Sequence, residues 1–95
     1  MKQISIIFDG NNFSDIESFY SEVTRVFNPV SGVDGRNLDA LQDLLWGGMG
    51  LHEFKQPLEI HWLNSKKNRK DFGYFNFRKL VKVMRQVPHV NVSLE

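Results

Sequence analysis

Three short β-rich runs set the frame of this chain. Ile4, Ile6, Ile7 and Phe8 form the first; Leu58, Ile60 and Trp62, alternating with Glu59 and His61, form the second; Val90, Val92 and Leu94 alternate in the third. Between them the apolar residues recur at helical spacing. Strands joined by helical connections imply right-handed parallel crossovers, so the expected class is α/β, a three-stranded parallel sheet flanked by helices. With 95 residues there is room for one core, and residues 1–95 are expected to form a single domain.

The first run, at about Gln3 to Phe8, is apolar on both sides of its pleat and is expected to be buried on both faces before it turns at Asp9-Gly10. Ser14 and Glu17 have capping-box spacing and predict a helix from about Asp15 to Phe27, with Ile16, Phe19, Tyr20, Val23 and Phe27 on one face and Pro29 beyond it. Residues 28–36 read as a loop. Asn37 is placed to cap a second helix, Leu38, Leu41, Leu44 and Leu45 give it a buried stripe, and Gly47-Gly48 stops it. The segment from Asn64 to Gly73 is so polar that it reads as a solvated loop or a ragged helical turn. A last helix is expected from about Tyr74 to Val87, on the spacing of Phe77, Leu80, Val81 and Met84. The final Leu94-Glu95 also fits a cloning scar, and no weight rests on Glu95.

Composition narrows the class. The chain is 41% hydrophobic and 13% aromatic, which suits a folded domain, and it has no cysteine, which removes disulfides and cysteine chemistry and suits a reducing compartment. The cytoplasm is the default location. The N-terminal MKQISIIFDG is neither a signal peptide nor a membrane span. Charge is segregated: Met1 to Trp62 holds 9 acidic and 4 basic residues, Leu63 to Glu95 holds 8 basic and 2 acidic, a balance of −5 against +6. Such polarity can steer a charged partner.

No constellation for catalysis is evident, and the chain is read as a non-enzyme with no cofactor and no metal. His52, His61 and His89 are scattered, and the glycine cluster Gly47 to Gly50 follows a helix rather than opening one. Asp39 and Asp43 stand one helical turn apart, opposite the leucines and next to Trp46. Two like charges there are either a solvated face or a platform for cations. A competing motif is KDFGYFNF, Lys70 to Phe77, which resembles the RNA-recognition-motif octapeptide at Lys70, Phe72, Gly73, Tyr74 and Phe77 and departs from it at Asp71 and Phe75. With Lys66, Lys67 and Arg69 beside it, the basic and aromatic segment 66–77 is an alternative site for nucleic acid. That fold needs the octapeptide in a strand, whereas here a helical stripe begins at Phe77, so its aromatics are expected to be helix start and core.

The segment GRNLDALQDLLWGG, Gly35 to Gly48, resembles the signature of the barstar family, small intracellular ribonuclease inhibitors. Gly35, Asn37 to Leu41, Asp43 and Gly47 stand where the family has them, and the first strand, the Asp9-Gly10 turn and the last strand agree in order. The resemblance implies a bacterial immunity protein for toxin neutralisation. Its second helix and the preceding loop would plug the basic active site of a cognate ribonuclease or nuclease toxin, carboxylates standing in for RNA phosphates. Asp43 would then be the central anion and Asp39 its neighbour, with Gly35, Asn37 and Gly47 shaping the contact. Other positions in the expected interface depart from the type member: Arg36 replaces an acidic residue, Val33 and Asp34 replace two tyrosines, Gln42 a tryptophan and Trp46 a threonine. Trp46 either anchors a partner or packs on its own domain. These departures imply a different cognate target, or a barstar fold retained for another protein partner. The free protein is expected to be a monomer without membrane attachment, and nucleic acid is not its expected partner.

Overall fold

Sequential strand order decides how this chain layers. The computed structural model describes residues 2–28, 37–48 and 51–95. In it β1 (Ile4–Asp9), β2 (Leu58–Leu63) and β3 (Val90–Leu94) form a parallel sheet in the order β1-β2-β3. The first connection carries a short 3-10 turn (Gly10–Asn12), α1 (Ile16–Phe27) and α2 (Leu38–Trp46); the second carries α3 (Ser65–Phe72) and α4 (Tyr74–Arg85). Both connections step the same way across the sheet. Right-handed crossovers therefore put their helices on the same face.

That geometry explains the burial of the strands. Ile6, Ile60 and Val92 lie side by side, as do Phe8 and Trp62, and all are buried with Leu58 and Val90 under the helices. The alternate positions carry Ser5, Ile7, Glu59, His61, Asn91 and Ser93, and Ile7 is 61% exposed. The expectation that the first strand is buried on both faces is thus overturned, because no described helix crosses to the other side.

Trp62 is the hub of the core. Its indole stacks on Phe19 at 5.0 Å and meets Phe13, Phe72 and Phe77 at edge or tilted angles, so β2, α1, α3 and α4 converge on one side chain. Each fully buried large apolar side chain of this kind contributes roughly 1.5–3 kcal/mol.

Two local expectations shift. The helix α1 is capped one residue later than the Ser14 spacing predicts: Asp15 Oδ1 accepts from the Ser18 N–H at 2.7 Å, and Ser18 Oγ accepts from the Asp15 N–H at 3.2 Å. A carboxylate competes better than a hydroxyl for the positive end of the helix. Ser14 Oγ instead accepts from Lys67 Nζ at 3.2 Å. The polar segment read as a solvated loop or a ragged helical turn is the regular helix α3, held by Asn68, which is fully buried. Its Oδ1 accepts from the Trp62 indole N–H at 2.7 Å, and its Nδ2 donates to the Gly10 and Phe13 carbonyls at 3.1 Å each. Gly10 is required there, since a Cβ would stand 2.2 Å from Asn68 Oδ1.

The helix α4 ends at Arg85, two residues short of expectation. At the other end of the chain, Leu94 lies in β3 and Glu95 continues the ladder, its N–H donating to the Trp62 carbonyl at 2.8 Å while its carboxylate accepts from His61 Nδ1 at 2.6 Å. Leu94 thus stands in the strand the sequence predicts, and Glu95 adds hydrogen bonds just beyond its end.

Candidate functional site

The helix α2 is short, and its placement depends on ties at every side. Asn37 begins it as the sequence predicts: its Oδ1 accepts from the Ala40 N–H at 2.8 Å. Leu41, Leu44 and Leu45 are buried, and Leu38 is half-buried beside them. Gln42 faces α4, its amide donating to the Val83 carbonyl at 3.2 Å and to Gln86 Oε1 at 3.1 Å. It is a strut between two helices, not a free contact group.

Opposite the leucines, Asp39 and Asp43 are exposed. Among the described residues neither makes an ion pair or a side-chain hydrogen bond. The carboxylates are thus held on a fixed backbone with no described residue pairing with them. Asp39 borders a shallow depression that it shares with Tyr20, Asn37 and Leu38.

The far end of α2 is closed by two histidines that sequence reasoning set aside. His52 Nε2 and His89 Nε2 lie 3.0 and 2.8 Å from the Leu45 carbonyl oxygen. A carbonyl only accepts, so both rings hold their proton on Nε2. The helix terminus leaves that carbonyl without an intrahelical partner, and the imidazoles supply one. Burial pushes the pKa of His52 below its ordinary value of 6.5; the hydrogen bond to Leu45 opposes this and the nearby His89 reinforces it.

Gly47 follows with φ 97°, a left-handed value that favours glycine, and a Cβ there would meet the Glu53 carbonyl oxygen at 2.2 Å. It is buried and shapes the chain behind the site. Trp46 packs partly on its own domain, stacked on Phe54 at 6.0 Å and tilted against His89 at 5.1 Å. Phe54 itself is 56% exposed and extends the aromatic surface, with Lys55 Nζ 5.4 Å from its ring centre.

The structure therefore brings together Asn37, Asp39, Asp43, Trp46 and Gly47 on one element, and turns Gln42 inward to α4. Val33, Asp34, Gly35 and Arg36 lie outside the described residues. Phe54, His52 and His89 went unread as parts of this region. Only the aromatic character of Phe54, close behind the glycines, hinted at it.

The competing segment Lys70 to Phe77 is not a strand; it spans the end of α3, Gly73 and the start of α4. Phe72 and Phe77 are core, as expected, but Tyr74 is 57% and Phe75 84% exposed. Those two rings open α4, in keeping with the reading of this segment as helix start and core. Among the described residues no three His, Asp or Glu side chains are grouped to hold a metal ion, and no helix is long and apolar enough to cross a membrane.

The family model described as Barstar (barnase inhibitor) covers residues 3–91, from the start of β1 into β3. None of the curated proteins compared with the chain matches it.

Proposed function

The chain belongs to the barstar family, and from that premise we propose that it inhibits a cognate ribonuclease or nuclease toxin by seating α2 in the enzyme's cationic active site. Members of the family are inhibitors rather than enzymes. In this reading Asp43 is the central anion and Asp39 its neighbour, while Asn37 and Gly47 fix the two ends of the helix that presents them. Carboxylates accept paired, charge-assisted hydrogen bonds from arginine, as phosphates do. A helix tethered on all its other sides presents them with little ordering cost on binding.

The observation that carries this reading is the pair of exposed carboxylates one turn apart with no counter-charge among the described residues. An external cation would relieve their mutual repulsion, and a nuclease cleft supplies several. Gln42 occupied by α4, together with Trp46 and Phe54 at the rim, supports a target whose cleft border differs from that of the type ribonuclease. We place the protein in the bacterial cytoplasm as the immunity partner of such a toxin.

Capture of nucleases from the source cell on immobilised protein, wild type against Asp43→Ala, tests the assignment. A nuclease held by the wild type, inhibited one to one and released by Asp43→Ala supports it. Equal capture by both proteins removes Asp43 from the site.

A further inference from the structure

Along one edge of α4's buried stripe, the structure forms a groove of about 570 Å³ between α3, α4 and the end of β3. Its floor is apolar, made by Phe77, Val81 and Leu94, and its walls carry Arg69, Arg78, Lys82 and Arg85. No carboxylate among the described residues lines it. Among the described residues Arg69, Arg78 and Lys82 make no ion pair, and Arg85 is held by donating from Nη2 to the Val92 carbonyl at 2.9 Å. On α3, by contrast, Lys67 Nζ meets Asp71 Oδ2 at 2.7 Å.

We propose that this groove binds single-stranded nucleic acid. Arg78, Lys82 and Arg85 follow one another at steps of four and three along α4, about 6 and 4.5 Å apart along its axis. That row suits a chain of regularly repeated negative charges better than one isolated anion. At the start of the same helix Tyr74 lines the groove and Phe75 stands beside it, their rings 6.0 Å apart and near perpendicular, 57% and 84% exposed. Exposed aromatic faces beside a cationic track are the arrangement on which unpaired bases stack. A duplex hides its base faces. An acidic polypeptide would satisfy the cations but leave both rings in water, whereas a nucleotide strand supplies phosphates for the row and bases for the rings. The inference does not depend on the inhibitor reading, because none of these residues lies on α2.

Fluorescence anisotropy with a labelled single-stranded 12-nucleotide RNA tests it, with an equally long duplex and poly-glutamate as competitors. Micromolar binding is expected at low salt. With three or four phosphates neutralised, the plot of log K against log salt should have a slope of about −2 to −3. Arg78→Glu with Lys82→Glu should weaken binding by more than tenfold, and Tyr74→Ala with Phe75→Ala by roughly tenfold. Each of these four side chains is exposed, and a circular dichroism spectrum identical to wild type confirms that the variants fold. Absence of saturable RNA binding overturns the proposal. So does binding that ignores the aromatic substitutions, or preferential displacement by duplex or by poly-glutamate.

Discussion

Trp62 and Asn68, six residues apart and both fully buried, share a 2.7 Å hydrogen bond in which the indole N–H donates to the amide oxygen. The same amide holds the Gly10 and Phe13 carbonyls from its nitrogen. One polar side chain thus joins the central strand, the turn after β1 and a helix whose surface gave no apolar signal.

Asn68→Ala should therefore destabilise the protein by about 1–3 kcal/mol, since it leaves the indole N–H buried without a partner and the Gly10 and Phe13 carbonyls with Lys67 Nζ as their remaining donor. Urea unfolding should show a lower midpoint at unchanged slope. A loss below 0.5 kcal/mol, by the same principle, would mean that water replaces the amide fully.

Gly47→Ala places a methyl group 2.2 Å from the Glu53 carbonyl oxygen at a φ of 97°. The expected cost is about 1–3 kcal/mol from crowding, with lower affinity for the nuclease because the end of α2 moves. Unfolding and inhibition titrations on the same sample check both effects.

Asp43→Ala separates binding from folding. The residue is exposed and, among the described residues, unpaired in the free protein, so its stability should change by less than about 0.5 kcal/mol. Against the cognate nuclease the loss should be about 3–5 kcal/mol, the scale of a buried charge left without its partner. Calorimetric titration of both proteins measures it.

Acid should loosen the fold in two stages. His52 has its pKa lowered in the folded state, so below the ordinary 6.5 the unfolded chain binds a proton that the native one does not, and stability falls as pH drops through that range. His52 faces Phe27, the Leu45 carbonyl and His89. Asp9 and Asp15 are also lowered, by hydrogen bonds to Asn11 and Asn64 and to Ser18 respectively, and their contribution is lost only as pH falls below about their ordinary 3.8. Urea midpoints from pH 7.5 to 3 should show both declines, and His52→Gln should flatten the first.

Much of this was legible because it is local. The leucine stripe, the Asn37 cap and the two outward carboxylates of α2 all lie within ten residues, where helical periodicity is decisive. The bond from Gln42 to α4 and the meeting of His52 with His89 on one carbonyl join residues far apart in sequence, and no spacing rule encodes them. The helix α3 escaped because its anchor is an asparagine, a residue type that usually signals solvent. The cap of α1 slipped by one because Ser14-Glu17 and Asp15-Ser18 both satisfy the spacing, and only the stronger acceptor separates them.

The sheet order has a cost in time. The β1 strand has β2 as its sole neighbour in the sheet, and Ile4 pairs with Leu58. A chain leaving the ribosome thus carries an apolar strand with no mate until more than half of it has been made. Closing that long loop, rather than winding any helix, sets the pace at which the newborn molecule becomes native.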